Sequence, residues 1–117
     1  MATRMYNGRA GVAWRRGRER IGMAGYMLID TDIFDQDVFA EFAVKIVEVM
    51  EAHGGRFLVR GGTTEVMDGD WVPHRIVIME FESFEVARGF VNSPEYAALQ
   101  DLRERCMHAR TMIVDGV

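Results

Sequence analysis

Apolar and polar positions follow two different periods along this chain, and the changes between them mark its elements. In "GYMLIDTD" the period is two: Tyr26, Leu28, Asp30 and Asp32 fall on one face, Met27, Ile29 and Thr31 on the other, which predicts a strand. The period then lengthens. "DQDVFAEFAVKIVEVMEAH" brings Phe39, Phe42, Ala43, Ile46, Val49, Met50 and His53 to helical spacing, an amphipathic helix. Asp35 suits its N-cap, Gln36 and Asp37 its first turn, and Glu41 and Lys45 pair four residues apart on the solvent side. Gly54 and Gly55 predict its end, because glycine enters the left-handed region at little cost.

A second strand is expected in "RFLVRGGTTEVMDG", with Phe57 and Val59 opposite Leu58 and Arg60; Gly61 and Gly62 predict a bulge, bend or close approach by another backbone, with room for a ligand or a neighbouring chain beside Arg60. "DGDW" with Pro73 reads as a turn, and "HRIVIMEF" as the third strand. Ser83 and Ser93 read as N-caps of helices over roughly 84–91 and 94–106. Pro94 suits the first turn of the second, and Tyr96, Leu99, Leu102 and Cys106 form its apolar stripe. "ARTMIVDG" supplies a fourth strand. The order strand, helix, strand, strand, helix, strand predicts an α+β, ferredoxin-like βαββαβ domain over residues 23–117, a four-stranded antiparallel sheet with its helices on one face. Leu28, Leu58, Ile76 and Ile78 then lie on the uncovered face, where a second copy is the simplest cover; a sheet-to-sheet homodimer is expected.

Charge changes the picture at one end. The net charge is −4, but residues 1–22 hold six arginines and one glutamate, leaving the other 95 with eight basic and seventeen acidic residues, a net of −9. So acidic a body repels phosphate, and nucleic acid is not an expected partner. Met23 opens the periodic sequence, and residues 1–22 read as a disordered or over-early-started extension. Their apolar core "GVAW" is too short for a secretory signal. No apolar run in the chain reaches the ~20 residues of a membrane-spanning helix, and a lone cysteine, Cys106, suits a reducing cytoplasm.

"YMLID", "HGGRFLVRGG", "EFESFEVARGF" and "SPEYAAL", in this order, resemble the domain of unknown function 1330 family of the dimeric α+β barrel superfamily. The resemblance covers nearly all of Ala24 to Gly116 and implies a homodimer with a small cavity in each subunit. It implies no particular reaction; superfamily relatives include cofactor-free quinol monooxygenases, haem-degrading enzymes and muconolactone isomerases.

Strand parity nominates a site independently of that resemblance. Tyr26, Asp30, Asp32, Arg56, Arg60 and Glu80 are expected on the face away from the helices. Arg60 beside Asp30 and Glu80 reads as an ion pair of the interface, or as a catalytic group in which Arg60 grips an anionic or enolic oxygen while Glu80 or Asp30 moves a proton. Tyr26, Trp71 and Arg56 are candidate ligand-binding residues, Trp71 as a lid or as a hairpin anchor. His53 suits a helix cap, and with His74 and His108 it forms no metal-ligand spacing; no metal and no cofactor are expected. No phosphate loop or nucleotide fingerprint is present. Two functions remain open: a cofactor-independent isomerase or monooxygenase acting on a small anionic or carbonyl-bearing molecule, and a non-catalytic homodimer that binds a metabolite or serves as an accessory protein.

Overall fold

A computed structural model describes residues 23–117; the arginine-rich stretch before them lies outside the described residues. Strand β1 (Gly25–Ile33) leads into helix α1 (Gln36–Ala52), then β2 (Arg56–Arg60), β3 (Ile76–Phe81), helices α2 (Phe84–Val91), α3 (Pro94–Ala97) and α4 (Gln100–Cys106), and β4 (Met107–Asp115). The sheet is antiparallel in the order β2-β3-β1-β4, the ferredoxin-like arrangement that the element order predicts.

Local chemistry accounts for most element ends. The Asp35 carboxylate accepts from the Val38 amide at 3.0 Å, Ser83 Oγ from Val86 at 3.1 Å and Ser93 Oγ from Tyr96 at 3.1 Å, so all three expected caps satisfy amides that have no partner within their helices. Helix α1 ends at Gly54, whose φ of +75° is the left-handed turn anticipated there. His53 Nδ1 lies 2.9 Å from the Val49 carbonyl oxygen, which fits the capping role read from its position.

One expectation differs: the helix predicted over 94–106 is two pieces. The Leu99 amide bonds to the carbonyl of Tyr96, three residues back, and this tight turn separates α3 from α4 while Leu99 stays buried in the core. Phe42, Ile46 and Met50 of α1, Phe90 of α2 and Leu102 of α4 pack on Met27, Val77, Met79 and Phe81 of the sheet. The Phe81 and Phe90 rings, fully buried, lie 5.1 Å apart. Each contributes about 1.5–3 kcal/mol by leaving water, so this layer fixes the helices to one sheet face.

Candidate functional site

The second strand overturns part of the parity reading. Arg56 pairs with Glu80 and Phe57 with Met79, but Val59 then pairs with Ile78 and Arg60 with Val77. A bulge at Leu58 inserts one extra residue, so every side chain beyond it changes face. Val59, expected against the helices, joins Ile78 on the open face. Arg60, expected beside Asp30 and Glu80, lies with Val77 on the helix side, its guanidinium 4.3 Å above the Phe57 ring. The group of Arg60, Glu80 and Asp30 is therefore not assembled.

What Arg60 does join is a cavity of about 60 Å³ between the helices and the sheet, enough for several water molecules or a small organic group. Its floor is Met27 and Ile29 of β1 with Val77 and Met79 of β3, and Phe39 and Phe42 of α1 lean over it. Its polar groups are Arg60, Arg75, Arg103 and Tyr96, with the hydroxyls of Thr31 and Thr111. Arg75 reaches in because the residue before β3 keeps the parity of Val77. Gly61 makes room for it: a Cβ at that glycine, whose φ is +74°, would lie 2.6 Å from Arg75 Nε. The close neighbour at Gly61 is thus the Arg75 side chain rather than another backbone. Its guanidinium sits 5.3 Å from the Phe39 ring centroid; burial lowers its pKa and the neighbouring Arg60 charge lowers it further.

Across the cavity, Arg103 Nη1 donates to Tyr96 Oη at 2.6 Å. Burial pushes the Tyr96 phenol up, more strongly than the Arg103 charge pulls it down, so the hydroxyl stays protonated at neutral pH. Among the described residues, no carboxylate lines this cavity and none lies within 4 Å of Arg60, Arg75 or Arg103. Among the described residues, three guanidinium groups thus border an apolar floor with no carboxylate within 4 Å of them.

On the open face, Glu80 is buried and saturated. Arg56 Nη2 and Nε donate to Glu80 Oε1 at 2.7 and 3.0 Å, and Tyr26 Oη donates to Oε2 at 3.2 Å. Arg56, Tyr26 and Glu80 are brought together as expected, but as an ion-pair cluster. Asp30 stands apart from it, accepting at Oδ1 from the His74 amide at 2.8 Å and the Arg75 amide at 3.2 Å. Asp30 thus ties the 61–75 connection to β1, and Trp71, half exposed, lines an open-face crevice with Ile76, Arg110 and Met112.

Partial burial raises the Asp30 pKa, but these hydrogen bonds outweigh it and hold the carboxyl below its ordinary 3.8. The tie is whole above that pH and is lost as pH falls through the lower folded value. The His74 and Arg75 amide resonances should therefore titrate together with a midpoint below 3.8, and Asp30→Asn should abolish the titration.

Arg75, Tyr96 and Arg103 were not among the site residues nominated from sequence, where Tyr96 was read only as part of an apolar stripe. The signals were present: positions 75, 77 and 79 share one parity, and Tyr96 and Arg103 are seven residues apart, two helical turns. Among the described residues, no three of His, Cys, Asp and Glu come close enough to hold a metal ion, and no helix is long and apolar enough to cross a membrane.

The family model of the domain of unknown function DUF1330 matches residues 24–117. The chain belongs to the DUF1330 family. Solved structures agree on the fold. The RPA0582 protein of unknown function from Rhodopseudomonas palustris aligns over 88% of this chain and 92% of its own, with a TM-score of 0.62 and 15% identity. The structure of methylated RPA0582 protein aligns over 95% and 93%, with a TM-score of 0.64 and 14% identity. SnoaB, a cofactor-independent oxygenase from Streptomyces nogalater, aligns over 80% and 92% at a TM-score of 0.44 and 10% identity, too slight a likeness to bear on activity. No curated protein matches this DUF1330 chain.

Proposed function

We propose that this protein binds a small organic anion, a carboxylate or enolate with an apolar body, in the cavity between its helices and its sheet. The observation that carries this reading is the set of three arginines around an apolar floor with no carboxylate among the lining residues. Guanidinium offers planar paired donors that match a carboxylate, and in a site partly shielded from water these bonds are stronger than at the surface. Glu80 and Asp30, expected to move a proton, have structural partners on the other face, while Arg60 keeps its anion-gripping role and is joined in it by Arg75 and Arg103.

Calorimetric titration of the full chain with phenylacetate and phenylacetamide tests it. The acid is expected to bind and the neutral amide to bind at least tenfold more weakly, as losing a charge-assisted hydrogen bond implies on the order of 1.5–3 kcal/mol. Equal affinities, or no binding of the acid, would overturn the reading. A catalytic version has one observation in its favour: Tyr96, held by Arg103, keeps a proton to give to an oxyanion formed in the cavity, without a cofactor. Under that version Tyr96→Phe removes turnover.

We further propose that a second copy covers the open face. Val59, Met112 and Val114 are exposed there beside half-buried Leu28, Ile76 and Ile78, a contiguous apolar surface. Light scattering should report a dimer that Met112→Asp and Ile78→Asp convert to monomer. A monomeric unsubstituted chain would overturn this.

A further inference from the structure

The polar groups of the cavity form two pairs towards opposite edges of the sheet. Arg60 ends β2, an edge strand, and Arg75 immediately precedes β3, its neighbour. Their charges interact, and each guanidinium lies over a phenyl ring, Phe57 for Arg60 and Phe39 for Arg75. Arg103 and Tyr96 stand on α4 and α3, and both also line a crevice against Thr111, Met112 and Ile113 of β4, the other edge strand. Adjacent strands are about 4.8 Å apart, so β3 and β4, separated only by β1, lie roughly 10 Å apart. Between the pairs the floor is apolar, Met27 and Ile29 of β1.

The two ends also differ in chemistry. Arg60 and Arg75 are two cations with no carboxylate within 4 Å among the described residues, and the Thr31 hydroxyl beside them already donates to the Arg75 carbonyl oxygen, an arrangement that costs free energy until an anion neutralises it. At the other end the Tyr96 oxygen already accepts from Arg103, and among the described residues no acceptor takes the phenol's own proton. That end therefore presents a neutral donor backed by a cation, suited to an uncharged oxygen.

We infer that the cavity selects two-ended ligands: a carboxylate held by Arg60 and Arg75, an apolar or aromatic middle crossing β1, and a second oxygen, keto or hydroxyl, held by Tyr96 and Arg103. This rests on the anion-binding reading and narrows it to oxygenated carboxylic acids. A ligand with one polar end leaves the other pair unanswered, which is the basis of selectivity.

Calorimetry on the full chain with phenylacetate, 4-hydroxyphenylacetate and 4-acetylphenylacetate separates the two ideas. At least one oxygenated acid is expected to bind about tenfold more tightly than phenylacetate, the gain from one well-placed hydrogen bond. In Tyr96→Phe that preference should fall to within about twofold. If all three acids bind with one affinity, or if Tyr96→Phe keeps the preference, the two-ended selection is overturned and anion binding stands. If none binds, both fall. Should Tyr96→Phe fail to fold, 4-isopropylphenylacetate, which matches the acetyl acid in size without its oxygen, decides in its place: binding about tenfold weaker than the acetyl acid is expected, and equal affinity would overturn the two-ended selection.

Discussion

Replacing Arg75 with methionine should weaken phenylacetate binding by about 10- to 100-fold while leaving the ligand-free protein as stable as before, or slightly more so. Arg75 is half-buried, feels the Arg60 charge, and has no carboxylate partner among the described residues. Its guanidinium is thus a cost to the empty fold that a bound anion repays. Methionine keeps an unbranched apolar stem against Phe39 and keeps the backbone groups of residue 75, whose amide bonds to Asp30 and whose carbonyl accepts from Thr31. Affinity by calorimetry and the midpoint of thermal unfolding check the two halves separately. An unchanged affinity would take Arg75 out of the site, and a large drop in midpoint would make it a structural residue instead.

Arg56→Ala should produce the largest loss of stability, about 2–3 kcal/mol, and no loss of carboxylate binding. Side-chain exposure is 35% for Arg56 and 2% for Glu80, so removing the arginine leaves a carboxylate out of water with Tyr26 as its donor. Breaking a fully buried pair costs 3–5 kcal/mol; the partial exposure of Arg56 brings the figure down. For a folded domain of this size that corresponds to a fall of about 10–20 °C in unfolding midpoint. Glu80→Gln should cost less, since the amide oxygen still accepts from Arg56 at the Oε1 position while the amide NH2 at the Oε2 position donates to the Tyr26 hydroxyl oxygen. Both variants should bind phenylacetate as the unsubstituted chain does, because the cluster lies on the sheet face away from the cavity. Binding lost in Glu80→Gln without loss of fold would return Glu80 to a functional role.

The fold was legible because its signals are local. Asp35, Ser83 and Ser93 cap within three residues of their own positions, Gly54 turns at its own φ, and the helical or strand period shows over a short window. Each of these choices is decided by the backbone groups nearest in sequence, and the tertiary fold had only to agree with them. The break at Leu99 was not legible, since its turn is coupled to burying that side chain in the core.

The site is a different matter. Residues 56, 57, 59 and 60 alternate cleanly on paper, but the extra residue at Leu58 moves Arg60 to the helix side. Which residue a strand leaves unpaired depends on register with its neighbour, a long-range property with no signature in the five residues of β2. Arg56 and Glu80, before the bulge, met as parity predicts; Arg60, after it, met Arg75 instead. Pattern and capping chemistry thus determined the elements, their order and the helix-covered face, because those follow from interactions between near neighbours. Only the packed sheet could decide that Arg60 joins Arg75 and Arg103 around one cavity, because the bulge at Leu58 changes the face of the β2 residues after it.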